Sequence, residues 1–180
     1  DRDLGLASLE RAVARNPNFA LAHLFRGVAL AALDRDAEAL ADIDLAIRLS
    51  PRDPGLWSFY FWQGRCHRDL GNVDAAVSSL RQAIGERPDV WFPHLDLSTT
   101  LAGAGRMDEA KAAITKARDL NPHMTLDAIA YLDSLFMSPR RVEENQRCAA
   151  ALGVPKSIDK AGADAGALPL PDKPSIAVLP

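Results

Sequence analysis

Apolar residues recur along most of this chain at three- and four-residue intervals, the spacing of helices that bury one stripe. Leu21, Leu24, Phe25, Val28 and Leu33 form one such stripe and predict a helix over 20–33. The polar turn Asp34-Arg35-Asp36 leads to a second helix predicted over 37–49, which Asp36 can cap. Pro54-Gly55 is turn chemistry. The aromatic stretch WSFYFWQGRCHRDLG follows as a helix ended by Gly71, and its partner begins at Asp74 and closes at Arg87-Pro88. Two further pairs are predicted over 91–104 with 108–120, and over 125–137 with 140–152. Pro93 sits in a first helical turn, where a missing N–H costs little. Residues 156–180 change character: Ala, Gly, Asp, Pro and Lys make a linker composition up to Pro174, and Ser175–Pro180 reads as a short strand.

The pairs share a template. Gly27, Ala39, Ala46 and Pro51 fall at the same offsets as Gly64, Ala76, Ala83 and Pro88, and as Ser98, Ala110, Ala117 and Pro122. Pro51 lies 34 residues after Pro17, Pro88 lies 37 after Pro51, and Pro122 lies 34 after Pro88. A 34-residue period with small residues at the helix crossings and a closing proline resembles the tetratricopeptide repeat. The resemblance implies an all-α, right-handed solenoid of antiparallel helix pairs over 1–155, followed by an extended C-terminal tail over 156–180. Residues 1–17 match only the second helix of a repeat, with Gly5, Leu9, Ala12 and Pro17 in the template slots. Complete repeats follow at about 20–51, 57–88 and 91–122, then a degenerate capping repeat at 125–155, where Glu144 and Pro139 replace the usual Ala and Gly. The lone first helix leaves Leu4, Leu6, Leu9 and Val13 without an upstream partner, so the chain reads as part of something longer.

Composition narrows the function classes. With 48% hydrophobic and 25% charged residues the chain can bury a core. A net charge of -3 argues against nucleic acid as a partner. No apolar run approaches the ~20 residues of a membrane helix, so no membrane contact is expected of this stretch. A cytoplasmic setting is expected, or a periplasmic one if a parent protein carries a membrane span. The two cysteines, Cys66 and Cys148, lie far apart and outside any CxxC spacing, so neither zinc nor a disulfide framework is indicated.

No catalytic constellation, cofactor motif or metal motif emerges. The sequence lacks GxSxG, GxxxxGK[ST], GxGxxG and HExxH. Cys66 and His67 are adjacent, but adjacent helical residues face different ways, so a buried thiol is expected. His23 and His94 occupy one repeat slot, with Tyr60 in the same slot between them, and His67 occupies another; helix packing is the expected role of all three histidines.

In tetratricopeptide stacks the first helix of each pair lines a concave groove. Carried onto this sequence, the groove slots are Leu21, Leu24, Phe25 and Val28; Phe61, Trp62, Arg65 and Arg68; Phe92, Leu95 and Thr99; and Leu126, Ile129, Asp133 and Phe136. The resemblance thus implies an apolar, aromatic wall with two central arginines able to clamp an acidic group. The alternative is that several of these residues pack against neighbouring helices. The Lys and Asn of chaperone-tail clamps are absent: their slots hold Leu24 and Val28, then Phe61 and Arg65. An extended apolar peptide is the expected ligand, and residues 168–180, LPLPDKPSIAVLP, are such a segment. The rival reading is a homodimerisation module acting through the first helix. SPRRVEENQRCAAALGVP is similar to the close of the repeat region in bacterial signalling proteins with adenylate/guanylate cyclase or winged-helix front ends, and DKPSIAVLP resembles the opening strand of their TolB-like domain. In that group the strand precedes the repeats, whereas here it follows them. The resemblance implies a signalling parent and carries over no catalytic residue.

Overall fold

Small residues at the crossings decide how each helix pair closes. The computed structural model describes residues 2–157, and among these it contains nine helices and no strand. Helix α1 (Arg2–Arg15) stands first. Four antiparallel pairs follow: α2 (Ala20–Ala31) with α3 (Asp36–Leu49), α4 (Leu56–Asp69) with α5 (Val73–Glu86), α6 (Trp91–Gly103) with α7 (Met107–Leu120), and α8 (Leu126–Ser134) with α9 (Pro139–Ala151).

A Cβ added at Gly27 would lie 2.8 Å from Ile43 Cγ1 and 2.9 Å from the Ala39 carbonyl oxygen; at Gly64 it would lie 2.7 Å from Leu80 Cγ. Only glycine permits these approaches. Ala39, Ala46, Ala76, Ala83, Ala110 and Ala117 are fully buried at the matching crossings. In the third pair Ser98 takes the glycine slot, buried, its hydroxyl donating to the Leu95 carbonyl at 2.7 Å. His23 Nε2 lies 2.8 Å from the Pro17 carbonyl oxygen, and His94 Nε2 lies 3.2 Å from that of Pro88. The shared slot therefore ties the start of a pair to the proline that closes the preceding helix.

The pairs stack in order: α1 packs on α2, α3 on α4 and α5 on α6. Their interfaces are apolar, centred on Ile43, Leu56 and Phe59 in one cluster and on Leu80, Leu101 and Ile114 in the next. Helix α1 is better covered than expected. Its 3.6-residue stripe points at α2, so Leu6 and Val13 are buried and Leu9 half-buried, while Leu4 stays exposed. The expected cap at Asp36 is also corrected: Asp36 is the first residue of α3, and its carboxylate is engaged by Arg141 instead.

The last pair departs from the stack. Among the described residues, α8 lays no backbone alongside α7; α9 instead packs on α6. Arg141 of α9 reaches the Ala31 carbonyl at the end of α2 (3.0 Å) and Asp69 at the end of α4 (3.3 Å). The pair thus lies across the inner helices α2, α4 and α6 rather than capping the end of the solenoid. The expectation of a stacked capping repeat at 125–155 is corrected accordingly. Glu144 stands where the other pairs have a crossing alanine, and the acid and the aromatic that fit the inner wall are Asp133 of α8 and Phe136 of the turn after it. Most of the expected linker and the whole of 168–180 lie outside the described residues.

Candidate functional site

The inner helices present an aromatic and guanidinium surface because α4 alternates both kinds of residue along one face. Phe61 meets Phe92 edge to face, with centroids 5.0 Å apart, and Trp62 at 5.4 Å. The Arg65 guanidinium lies 5.2 Å from each of the Phe61 and Trp62 ring centres. Such stacking stabilises a desolvated cation by up to about 2 kcal/mol.

Neither arginine is free to clamp a ligand. Arg65 is buried; one terminal nitrogen donates to Asp133 Oδ1 at 2.5 Å and lies 2.9 Å from Met137 Sδ, and Nε is 3.2 Å from Asp96 Oδ1. Arg68 donates to Asp96 at 2.8 Å and to Asp69 at 3.0 Å. Asn145 of α9 donates to the second Asp133 oxygen at 2.6 Å. Arg141 pairs with Asp36 and with Asp34 at 3.1 Å. The expected anion clamp is therefore an internal ion network, and its acid is supplied by α8 and by the stack itself.

Burial shapes the titration of this network. It pushes the Asp96 carboxyl above its ordinary range, against the pull of Arg65 and Arg68. Burial likewise raises Asp36 despite Arg141. Burial opposes the Arg68 charge too, but Asp69 and Asp96 prevail and hold its pKa up. Burial drives the Cys66 thiol to about 12, so it is no nucleophile at neutral pH. Among the described residues no cluster of His, Cys, Asp and Glu can hold a metal ion, and no helix is long and apolar enough to cross a membrane.

The sequence-derived groove residues divide in three. Leu24, Val28, Phe61, Leu95, Thr99 and Ile129 are buried in the core, and Leu21, Phe92 and Leu126 are half-buried against it. Arg65, Arg68 and Asp133 form the ion network. Phe25 remains exposed on α2, and Trp62 is half-covered by Phe136, whose ring centre lies 5.5 Å away. Helix α8, expected as the last stretch of wall, is instead the occupant of the groove. Asp96, Asn145 and Arg141 were missed. Asp96 leaves a trace in the sequence, as the one acid in α6, flanked by Leu95 and Leu97; Arg141 leaves none, because its partners are more than 70 residues away.

Residues 1–54 match one tetratricopeptide-repeat model, and residues 58–90 match another. Over these residues the chain carries tetratricopeptide repeats. Solved structures of MamA share this fold. One crystal structure of MamA is similar with a TM-score of 0.63 at 17% identity, over 84% of this chain and 88% of that one. MamA from Desulfovibrio magneticus RS-1, from residue 41 to the end, gives 0.62 at 17% identity over 83% and 80%. MamA of MSR-1 gives 0.59 at 23% identity over 67% and 68%. No curated protein matches the chain. Stacked tetratricopeptide repeats form concave surfaces used for binding, and here that surface is largely occupied by the chain's own last helix pair.

Proposed function

We propose that this chain is a protein-interaction module that recognises an apolar segment along the open rim of its concave face. The observation that carries the reading is a row of exposed side chains beside the filled groove. Phe25 is 54% exposed, Leu132 44% and Phe136 41%. Phe25 stands two residues before Gly27, as Trp62 stands two before Gly64, so it continues the Trp62–Phe136 row by one repeat. Exposed apolar side chains beside a concave face are a feature of interaction sites. An extended apolar peptide fits such a row, and residues 168–180 supply one within the chain.

A setting within a larger bacterial signalling protein, with a nucleotide cyclase as output, rests on the wording of SPRRVEENQRCAAALGVP and DKPSIAVLP alone. Dimerisation through α1 has less support, since Leu6 and Val13 are covered by α2.

The test titrates a fluorescent peptide of residues 168–180 against the full chain and against a chain ended at 157. The shortened chain should bind more tightly, because the tethered copy no longer competes, and Phe25→Ala should weaken binding about tenfold, equivalent to about 1.4 kcal/mol. Equal, unsaturable signals with all three proteins would remove the reading.

A further inference from the structure

We propose that α8–α9 is an exchangeable ligand: two copies of this chain trade the unit, each seating its partner's α8–α9 across its own inner helices. The proposal rests on the concave face being a recognition surface, and it names one occupant of that surface.

Three observations carry it. The first is that the unit closes on itself. The Leu126 N–H donates to the Pro155 carbonyl at 2.9 Å and the Asp127 N–H to that of Lys156 at 3.2 Å, so the chain leaving α9 satisfies the start of α8. Asn145 binds Asp133 across the pair, and Gln146 donates to the Leu126 carbonyl at 3.3 Å. Residues 126–156 can therefore move as one body without opening their own hydrogen bonds. The second is the attachment. Helix α8 lays no backbone on α7; the covalent link is Asn121–Thr125, and Met124 and Ile129 meet the apolar cluster of the stack. Docking depends on the groove, and the groove does not distinguish whose unit fills it.

The third is complementarity. The wall carries cations and acids in one linked row, with Asp69 bridging Arg68 and Arg141. Arg65 and Arg68 share Asp96, Arg68 also takes Asp69, and Arg65 is left a terminal nitrogen that takes Asp133. Asp34, Asp36 and Asp69 cluster at the turn end and take Arg141. Between them, Trp62 takes Phe136. An occupant must therefore present a carboxylate, an aromatic and a guanidinium at positions 133, 136 and 141 of a helix–turn–helix. A second copy carries that arrangement by identity. Exchange recreates every contact of the closed chain and alters only the linker, which makes it an accessible route to a dimer.

The experiment uses charge reversal on the full chain. Arg65→Asp places an acid opposite Asp133, and Asp133→Arg places a cation opposite Arg65, so each variant alone repels its own unit. Mixed, they match both ways: the native Asp133 meets the native Arg65, and Arg at 133 meets Asp at 65. Light scattering should find each variant alone at the monomer mass and the equimolar mixture at twice that mass. A mixture that stays at monomer mass, with both variants helical by circular dichroism, overturns the proposal. Should either variant lose its helical signal, a photo-crosslinking residue at position 136 in mixed light and heavy isotope-labelled chains answers instead. Light-to-heavy crosslinks onto the Trp62 peptide that grow with concentration are expected, and crosslinks confined to single chains overturn the proposal. Binding of the 168–180 peptide is read on the same samples. If it persists without dimerisation, exchange fails and the rim reading stands; if the dimer forms without peptide binding, only the rim reading fails.

Discussion

The stack α1–α7 and the unit α8–α9 are both pairs of helices packed on helices, yet they are held by different physics. Within the stack, glycine, alanine and serine at the crossings bring backbones together and apolar side chains fill the gaps, with Phe59, Ile43 and Leu80 fully buried. Between the stack and α8–α9, ion pairs are added to apolar packing: Ile129, Ala149 and Leu152 join the cluster of Leu101 and Ile114, while Arg65 pairs with Asp133, and Arg141 with Asp36, Asp34 and Asp69. Apolar packing depends on shape and tolerates no misfit at close crossings. Buried ion pairs contribute little net stability over well-packed apolar groups, but breaking one partner is costly. The stack is thus built to persist, and the last pair is positioned by contacts that are specific rather than simply sticky.

The largest expected effect comes from breaking that positioning. Arg65→Ala leaves Asp133 and Asp96 buried beside a lost guanidinium and should cost about 3–5 kcal/mol. Denaturant unfolding measures the loss, and hydrogen exchange should localise the early opening to α8–α9. Uniform exchange through α1–α7 as well would erase the contrast between the two regions.

Next comes the stack. Gly64→Ala drives a Cβ to 2.7 Å from Leu80 Cγ. Overpacking of this kind costs about 1–3 kcal/mol. Here the unfolding midpoint of the whole protein should fall, with no selective opening of the last pair.

A smaller effect is expected of Phe136→Ala, which removes the edge contact with Trp62. It should cost about 1 kcal/mol beyond lost area. Exchange in α8 should quicken while the α2–α3 amides stay unchanged.

The smallest test is one of direction. Within the stack, Asp42 accepts from Arg26 at 2.6 Å and lies 3.1 Å from His23. Burial alone would raise Asp42, but Arg26 and His23 prevail and its pKa lies below the ordinary 3.8. Its stabilisation is present above that value and lost as pH falls through the lowered one. Asp36 and Asp96 are shifted the other way by burial. Their contribution is full below 3.8 and lost as pH rises through their raised folded values. Carboxyl carbon titration by NMR should place Asp36 and Asp96 above 3.8 and Asp42 below it; the reverse order would contradict both assignments.

The same division explains what could be read from the residues alone. Gly27, Gly64 and the buried alanines repeat at fixed offsets because each solves the same local crossing, so the helix pairs are written in the periodicity. The path of α8–α9 is not. It depends on Asp133 meeting Arg65 and on Arg141 meeting Asp36 across the fold, and separations of 68 and 105 residues leave no periodic trace. Arg65 and Arg68 were recognised as a place for an acid; which acid fills it required the three-dimensional course of the chain. Phe25 and Phe136 are apolar positions in the repeat pattern, but their exposure follows from where α8–α9 comes to rest.

The hydrogen bonds from Leu126 and Asp127 to Pro155 and Lys156 tie the exit of the domain to the entrance of α8. The described chain therefore ends, at Ser157, on the groove's occupant and not on the solenoid. Filling or emptying the groove would swing that attachment point like the free end of a lever, converting a contact inside the repeats into a displacement outside them.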